Sequence, residues 1–423
     1  MTDVFVATGL RTPFSKGDGA LKEFDAIQLS VPVVQAMSDR VKPGAGIDLA
    51  VWGSVVPNLG WSNIAREIWM DAGLDPTVPA YSVVLACGSS LAGAISAGGM
   101  LQENVRDLAI VGGVESMSRV QIGLDQSLSV WLKHFLQARS MGAKLETVKE
   151  LHWHDVRLYI PAIVNRTTGR SMGEHTEDTA KEWHISRQAQ DEWALQGHQK
   201  VMAARVEGFF DDLIVPMGEV LEDTIPRADT SIEKLAKLPL AFDRTSGHGT
   251  LTAGNSSPVT DGAASCWVAT RKGLSRLVDG TPHARLVDFE FASIDLRGEG
   301  LLMAPSYAIP RMLDRHAMRY DDVALWEIHE AFAAQVLANV AALEDRTWVA
   351  RKTGIVRDFG PFPWERTNPN GSSIAIGHPF AATGARDLSQ CVKELFAMPS
   401  GSRAVLSICA DGGQGVVALL ERP

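Results

Sequence analysis

Short apolar runs alternate with stretches of helical periodicity at both ends of the chain. Near the N-terminus, the apolar runs predict buried strands over 4–7, 49–52, 81–85 and 108–111. Towards the C-terminus, similar runs predict strands over 324–328, 372–376, 405–408 and 416–420. Helical stretches lie between them, over 26–37, 65–72, 89–100, 331–343 and 383–396. Short strands bounded by helices are typical of an α/β fold in which helices cover the faces of a sheet.

The middle of the chain has a different character. It is charged and helical in pattern, as in HTEDTAKEWHISRQAQDEWALQGHQK from His175, and its first strand pattern is at 213–215. We therefore expect two α/β halves separated by a helical insertion. The predicted division is an N-terminal half of residues 1–120 plus 243–284, an insertion of 121–242, and a C-terminal half of 285–423.

Composition narrows the class of protein. Hydrophobic residues make up 45% of the 423 residues, enough for a large core. The net charge of −10 argues against nucleic acid as a partner. The four cysteines are widely separated with no CxxC pair, which argues against a disulfide framework and for a reducing, cytoplasmic location.

Two segments bear on targeting and membranes. The N-terminal MTDVFVATG has no basic region before an apolar stretch, so we expect no targeting signal there. Residues 76–102 carry no charge and are long enough to span a bilayer. They also contain two prolines and four glycines, so a buried strand followed by a small-residue helix is the better interpretation.

Cys87 is the first candidate for chemistry. In ACGSS it lies between a predicted strand and the N-terminus of a glycine-rich helix, where backbone N–H groups and the helix dipole stabilise a thiolate. The alternative is a small buried cysteine, because free cysteines are commonly buried and inert. Neighbouring glycine and serine residues leave room for a substrate, which supports a nucleophile.

Three further motifs carry candidate groups in the C-terminal half. His329 begins HEAFA at a predicted strand end, and His378 lies in GHPF after another predicted strand. A lone histidine is more often structural, but two at strand ends in one half favour a common site. Cys409 begins CADGGQG between two apolar strands, where glycines let backbone N–H groups approach a bound carbonyl.

In order and spacing, these motifs resemble those of the thiolases, a family of acyl-CoA acyltransferases. The matching segments span the chain: ATGLRTPF near the N-terminus, LACGSS around Cys87, SMGEHTEDTAKEW from Ser171, RADTSIEKLAKL from Arg227, LTAGNSSPVTDGAA from Leu251, HEAFA, GHPFAATGAR and CADGGQG. Many thiolases carry Asn-Glu-Ala-Phe where this chain has HEAFA. That form, and NRTTGRSMGEHTED from Asn165, resemble the thiolase subunit of fatty-acid β-oxidation complexes.

The resemblance implies a fold and a reaction. The fold would be a layered αβαβα arrangement of duplicated βαβ halves, with a helical loop domain. The reaction would cleave a 3-ketoacyl-CoA with CoA into acetyl-CoA and a shortened acyl-CoA. Cys87 would attack the 3-keto carbon and His378 would accept its proton. Cys409 would protonate the departing enolate and then act as a base.

Two oxyanion holes are implied by the same resemblance. One would use the backbone N–H groups of Cys87 and Asp411, and the other His378 with a water held by residue 329. His329 replaces the common asparagine, so an imidazole could donate directly. Asp411 stands where glycine or alanine is usual, and its carboxylate would be unfavourable unless it points away.

The resemblance to thiolases also implies which residues of this chain contact CoA. Ser257 matches the serine that binds the pantetheine arm, and Ala253 lies on the same loop. Arg227 matches a position near the adenine, with a solvated surface charge as the alternative. Met172 and Phe332 would line the acyl or pantetheine slot, or simply be core. We expect CoA and acyl-CoA as substrates, no permanently bound cofactor, and no metal, because the His and Cys residues lack ligand spacing.

Residues 127–160 combine Trp131 and Phe135 with basic side chains. This segment contains five basic and three acidic residues, whereas the whole chain has a net charge of −10. The spacing suits an amphipathic helix that meets a membrane surface or a partner subunit. The alternative is a cap helix packed over the active site. By resemblance, the partner would be a hydratase–dehydrogenase subunit, and the chain itself would form a homodimer or a dimer of dimers.

Three rival functions stay open. A ketoacyl synthase also combines one cysteine with two histidines, but it needs no second active-site thiol such as Cys409. A non-catalytic thiolase-like lipid carrier would not need four competent groups. A biosynthetic acetoacetyl-CoA thiolase would run the same chemistry towards condensation.

Overall fold

A computed structural model describes residues 2–103 and 105–423. In chain order the strands are β1 (Phe5–Arg11), β2 (Ser15–Lys16), β3 (Leu49–Gly53), β4 (Ala80–Val83), β5 (Leu108–Glu115), β6 (Gly123–Leu124), β7 (Leu158–Tyr159), β8 (Thr260–Ala269), β9 (His283–Ser293), β10 (Leu325–Ile328), β11 (Arg403–Ala410) and β12 (Gln414–Glu421).

The helices are α1 (Ala26–Ser38), α2 (Ile64–Asp71), α3 (Ser89–Gln102), α4 (Gln126–Gln137), α5 (Met141–Glu150), α6 (Met172–Glu182), α7 (Arg187–Val206), α8 (Ile232–Ala236), α9 (Arg271–Leu274), α10 (Pro305–Arg315), α11 (Ala333–Glu344), α12 (Arg346–Thr353), α13 (Ser373–Ile376) and α14 (Thr383–Phe396). None of the helices in the described ranges is long and apolar enough to cross a membrane.

Most strands form one sheet made of two half-sheets. The strand order is β10-β11-β12-β9-β1-β8-β5-β3-β4, with β2 paired to β8. The pairing of β1 with β9 joins the half-sheets. Parallel pairs occur in both halves, β3 with β4 and β5 in one and β10 with β11 in the other. The α/β fold expected from the sequence is confirmed.

Alternating residues along the strands point into different layers. In β12, Val416 and Ala418 belong to a core shared with α3 and α14, whereas Val417 and Leu419 face α10–α12. In β5, residues 109 and 111 face α3 and α14, and residues 108 and 110 face α1 and α2. Strands buried on both faces explain the continuous apolar runs in the sequence. The order of layers is therefore helix, sheet, helix, sheet, helix.

The central layer depends on a close approach of α3 and α14. A Cβ on Gly384, in the first turn of α14, would lie 2.7 Å from the backbone nitrogen of Leu91 in α3. The backbone N–H of Ala385 donates to Ser90 Oγ at 2.8 Å. Only glycine fits at this contact, because any side chain would push the helices apart. The contact brings the starts of two helices from different halves together.

Several predicted elements differ from the observed ones. The apolar run 372–376 was expected to be a strand, but Ser373–Ile376 form the short helix α13. A short buried run cannot be assigned by periodicity, and here Glu330 Oε2 accepts from the backbone N–H of Ile374 at 3.2 Å. The expected strand at 213–215 is a single bridge between Ile214 and Arg11. The long strands β8 and β9 were not anticipated, since small and charged residues interrupt their apolar pattern.

The helices α4 and α5 pack on each other. Trp131 stacks on Phe135 with ring centroids 5.5 Å apart, and Trp131 Nε1 donates to the Thr147 carbonyl at 2.8 Å. Neither helix has a buried residue. This does not fit a cap helix packed over the active site. We refer to residues 126–150 as the α4–α5 hairpin.

Candidate active site

Cys87 lies in the turn between β4 and α3, as the sequence predicts. Ala86, directly before it, has φ of 44°, a left-handed conformation that costs an L-residue about 1–2 kcal/mol. Ser89 Oγ accepts from the backbone N–H of Leu85 at 2.8 Å and donates to the Ala86 carbonyl at 2.7 Å. This hydroxyl holds the strained turn and places Cys87 at the N-terminal end of α3.

His378 lies against Cys87. Its Nε2 is 3.1 Å from Cys87 Sγ, although the two residues are 291 positions apart. Its Nδ1 is 2.7 Å from Thr383 Oγ1, and its backbone N–H donates to Thr260 Oγ1 at 3.0 Å. The histidine follows the short helix α13, so its expected place at a strand end is wrong. The Thr383 hydroxyl orients the ring so that Nε2 can accept the thiol proton.

His329 completes the cluster from the end of β10. Its backbone N–H donates to the Ser407 carbonyl at 2.9 Å, which extends the pairing of β10 with β11. Its ring centroid is 4.2 Å from that of His378. Its Nδ1 is 2.8 Å from Ser373 Oγ, and its buried Nε2 has no hydrogen-bond partner among the described residues.

Cys409 lies near the end of β11, in the hairpin that β11 forms with β12. It pairs with Gly415, and the positive φ values of Gly412 and Gly413, 85° and 72°, form the tight turn. The thiol is only 1% exposed. Burial and the nearby Cys87 raise the pKa of Cys409, so it is a protonated thiol in the ligand-free site.

The carboxylate of Asp411 is held by two hydrogen bonds. Asp411 Oδ1 accepts from Asn165 Nδ2 at 2.8 Å and from the backbone N–H of Gly412 at 2.6 Å. The backbone N–H groups of Asp411 and Cys87 lie close enough to the Cys87 thiol to lower its pKa. The geometry is therefore compatible with the expected oxyanion hole.

Burial decides the resting protonation states of Cys87 and His378. Burial raises the pKa of Cys87 to about 12, and the charges of Asp411 and Glu115 add to this effect. Burial, with a smaller effect of Arg386, lowers the pKa of His378 to about 3. The ligand-free pair is therefore a neutral thiol and a neutral imidazole. The expectation that the helix N-terminus would stabilise a thiolate is not met, because desolvation outweighs the backbone N–H groups.

Two neighbouring cavities contain the expected CoA contacts. A cavity of about 250 Å³ is lined by Arg227 and Ala253. A second, of about 180 Å³, is lined by Ser257, Met172 and Phe332 and reaches Cys87, His378 and Asp411. Ser256 and Pro258 line both cavities, so the two are adjacent, and we refer to them together as the slot.

Met172 is placed in the slot by the start of α6. Ser171 Oγ accepts from the backbone N–H of Glu174 at 3.3 Å, and Glu174 Oε2 accepts from the backbone N–H of Ser171 at 2.7 Å. This capping box follows directly from the sequence Ser-Met-Gly-Glu. It fixes the first residue of the helix, Met172, against the slot.

An apolar cavity lies on another side of Cys87. It has about 210 Å³ and is lined by Val55, Val56, Met117, Phe380, Tyr159 and residues 161–164. The buried Glu115 accepts from the backbone N–H groups of Val55 and Val56, both at 3.0 Å, and so shapes this wall. Burial raises the pKa of Glu115 to about 7.

The expected absence of a metal depended on sequence spacing alone. In three dimensions, Cys87 Sγ and one nitrogen of each histidine, His329 and His378, lie within 4.8 Å of one another. Such atoms have the chemistry of zinc ligands. That this protein binds no metal therefore stays a prediction. The wide spacing of these residues in the sequence no longer supports that prediction, because the fold brings them together.

Sequence reasoning missed several residues that position the site. Thr383 and Arg386 lie within the motif GHPFAATGAR, so the sequence shows that they are close to His378 along the chain. It does not show which side chains they contact. Asn165 lies in another quoted segment. Glu115 and Ser373 had no signal in the sequence, because only the fold shows what their side chains contact.

Comparison with known proteins agrees with this geometry. Family models for the thiolase N-terminal domain and the thiolase C-terminal domain match residues 4–272 and 280–422. The chain belongs to the thiolase family, and it is an acyltransferase.

Individual relatives cover the whole chain. It is 36% identical over 425 residues to a 3-ketoacyl-CoA thiolase of Yersinia pestis (strain Pestoides F), covering 99% of this chain and 96% of that protein. The crystal structure of the Bacillus anthracis acetyl-CoA acetyltransferase matches with a TM-score of 0.80 at 29% identity, covering 100% of this chain and 99% of the other. Acat5 thiolase from Ascaris suum, solved in complex with coenzyme A, matches with a TM-score of 0.79 at 25% identity over 100% of both chains.

Replacing Asp411 by Asn should lower the pKa of Cys87. The amide removes a charge that disfavours the thiolate but keeps an oxygen to accept from Asn165 and Gly412. Each unit by which the pKa falls raises the thiolate fraction at neutral pH about tenfold. The measurement is the rate of iodoacetamide labelling of the Cys87 peptide across a pH series.

Asp279→Asn is the matched control, because that carboxylate is 94% exposed and paired with Lys42. It should leave the labelling profile of Cys87 unchanged. An unchanged or higher pKa in Asp411→Asn would show that the Asp411 charge does not act on the thiol.

Proposed function

We propose that the protein is a 3-ketoacyl-CoA thiolase that cleaves 3-ketoacyl-CoA with CoA in fatty-acid β-oxidation. The observation that carries this proposal is the contact between Cys87 Sγ and His378 Nε2 at 3.1 Å, beside a cavity that both residues line. The family and the 3-ketoacyl-CoA thiolase relative agree with it. That relative favours degradation over the biosynthetic alternative.

Bond formation begins at Cys87. The thiol gives its proton to His378 as its sulfur attacks the 3-keto carbon, since neither group is ionised beforehand. The bond between the α and β carbons then breaks and leaves the acyl group on Cys87. The departing acetyl-CoA enolate takes the proton of Cys409.

The second half of the reaction restores the site. The thiolate of Cys409 takes the proton of the incoming CoA thiol, and the CoA sulfur attacks the acyl group. Cys87 leaves as a thiolate and recovers its proton from His378. Atoms and protons balance, with one CoA consumed and one acetyl-CoA and one shortened acyl-CoA released.

Two sets of donors would stabilise the negative oxygens. The backbone N–H groups of Cys87 and Asp411 would hold the oxygen on the carbon bound to Cys87. His378, as an imidazolium, and His329 would hold the enolate oxygen of the acetyl-CoA part. Buried donors of this kind act strongly because water does not compete with them.

The slot and the apolar cavity would bind different parts of the substrate. Ser257 and Phe332 would flank the pantetheine arm, with Met172 on the opposite wall and Arg227 and Ala253 near the nucleotide. The cavity beside Val55, Val56 and residues 161–164 would take the acyl chain. No permanently bound cofactor is required by this chemistry.

The main experiment follows the acyl group. Incubation with a 3-ketoacyl-CoA should add the shortened acyl mass to the peptide that contains Cys87. Cys409→Ser should still acylate to some extent but lose steady-state thiolysis by several orders of magnitude, since proton shuttling typically contributes about 10²–10⁴-fold. Mass spectrometry and a thiolysis assay over increasing chain lengths measure both.

Cys266→Ser is the control, because Cys266 is a buried core cysteine in β8. It should leave acylation and thiolysis near wild type. An acyl label on Cys409 or on no cysteine would refute the assignment, and so would normal thiolysis in Cys409→Ser.

We also propose a homodimer, or a dimer of dimers, formed through the β4 edge. Among the described residues, the outer edge of β4 pairs with no strand. Val84, just after it, is 64% exposed, and the whole segment 76–102 is uncharged. An exposed, apolar sheet edge is a template for association.

Val84→Glu should weaken this association, because it places charge on the proposed interface. Light scattering should give a multiple of 45.7 kDa for the unmodified chain and a smaller assembly for the variant. Val206→Glu, at an equally apolar and 85% exposed position, should change nothing. A monomeric unmodified chain would contradict the proposal.

We further propose that the α4–α5 hairpin and the residues after it make peripheral contact with a membrane surface. Leu136, Leu145 and Trp153 are 69%, 59% and 88% exposed. Lysine and arginine side chains accompany them, which suits an anionic surface. A hydratase–dehydrogenase subunit that binds the same surface remains a prediction. The cytoplasmic location also remains a prediction. So does the division of the chain into two α/β halves separated by an insertion of residues 121–242, with the C-terminal half beginning at residue 285.

Flotation with anionic lipid vesicles tests the membrane contact. The protein should float with the vesicles at low salt and less at high salt. The double variant Leu136→Glu and Leu145→Glu should stay at the bottom, whereas Val356→Glu, also apolar and 81% exposed, should float. Equal flotation of both variants would exclude the hairpin as the contact.

A further inference from the structure

One buried serine connects His329 to a buried arginine. Ser373 Oγ lies 2.8 Å from His329 Nδ1 and 2.7 Å from Arg386 Nη2. Ser373 and His329 are fully buried, and Arg386 is 2% exposed. None of these contacts is needed to bring Cys87 and His378 together.

The direction of each hydrogen bond follows from the donors available. A guanidinium only donates, so Arg386 must donate to Ser373 Oγ. The serine hydroxyl has a single hydrogen, and His329 Nδ1 is the only other partner that the described residues offer it. Since a buried hydroxyl hydrogen without an acceptor costs about 1–3 kcal/mol, the hydroxyl donates to Nδ1.

This direction determines which nitrogen of His329 carries the proton. Burial, with the neighbouring His378 and Arg386, lowers the pKa of His329, so its ring is neutral and has one N–H. With Nδ1 accepting, that proton is on Nε2. Nε2 is the buried atom without a partner in the described ranges, so its N–H is left unpaired, and a ring nitrogen of His329 lies within 4.8 Å of Cys87 Sγ.

We propose that Ser373, held by Arg386, is a positioning residue that keeps His329 in the Nε2–H form, so that His329 donates directly to the enolate oxygen. This inference deepens the proposed thiolase function and rests on it. The two adjacent histidines then have opposite tasks: Nε2 of His378 accepts a proton from Cys87, while Nε2 of His329 donates a hydrogen bond. A water held by an asparagine is not required in this chain.

The test compares two neighbouring serines. Ser373→Ala removes the hydroxyl between Arg386 and His329. Ser372→Ala is the matched control, because Ser372 Oγ lies 3.4 Å and 3.5 Å from the Arg386 nitrogens and has no contact with His329. Ser373→Thr retains a hydroxyl and should restore part of any loss.

Kinetics provide the first measurement. In Ser373→Ala, kcat for thiolysis should fall about 10–100-fold, the loss typical when a metal-binding histidine loses the hydrogen-bond partner that orients it in the same way. KM should change little, and so should acylation of Cys87 by a simple acyl-CoA, which makes no enolate. Ser372→Ala should match wild type. A fall no larger in Ser373→Ala than in Ser372→Ala would overturn the inference, as would equal loss in both half-reactions.

Nitrogen NMR of histidine-labelled protein provides a second measurement that needs no turnover. The His329 signals are those missing from His329→Asn. They should report a proton on Nε2 in the unmodified protein and a changed population in Ser373→Ala. A proton on Nδ1 in the unmodified protein would refute the inference even if thiolysis is normal. Absence of thiolysis together with the Nε2 proton would refute the proposed function but leave the Ser373 contact standing.

Discussion

The close contact of α3 and α14 is the constraint on which the site depends. Gly384 leaves no side chain between these helices, and Ser90 Oγ accepts from the backbone N–H of Ala385 at 2.8 Å. Cys87 comes just before one helix and His378 just before the other. Any side chain at Gly384 would separate the two halves and move the thiol from the imidazole.

Burial in this central layer has an electrostatic consequence. Charged forms are disfavoured for every group in the cluster, which raises the pKa of both thiols and lowers that of both imidazoles. The resting site is therefore neutral, and charge develops only when a substrate is attacked. In surroundings of low dielectric constant each correctly placed N–H group is effective, so hydrogen-bond direction becomes as important as distance.

Side chains at the periphery of the molecule are less buried than those in the central layer. The layers between β5 and β12 are closely packed, whereas the α4–α5 hairpin has no buried residue and exposes apolar side chains. After the hairpin in the chain, Tyr159 and residues 161–164 line the cavity beside Cys87. The segment 121–242 thus contains both exposed apolar side chains and part of the cavity wall beside Cys87.

The sequence alone determined the class of fold and most of the chemical groups. Continuous apolar runs identified β3, β5, β11 and β12, because those strands are buried on both faces, and the motifs around Cys87, His378 and Cys409 named the reacting groups. The short helix α13 was mistaken for a strand, since its three consecutive apolar residues, Ile374–Ile376, carry no periodicity. Tertiary structure decided the protonation of Cys87, the binding of Asp411 by Asn165, and the orientation of His329 by Ser373. These depend on burial and on contacts between residues far apart in the chain, which local sequence patterns do not encode.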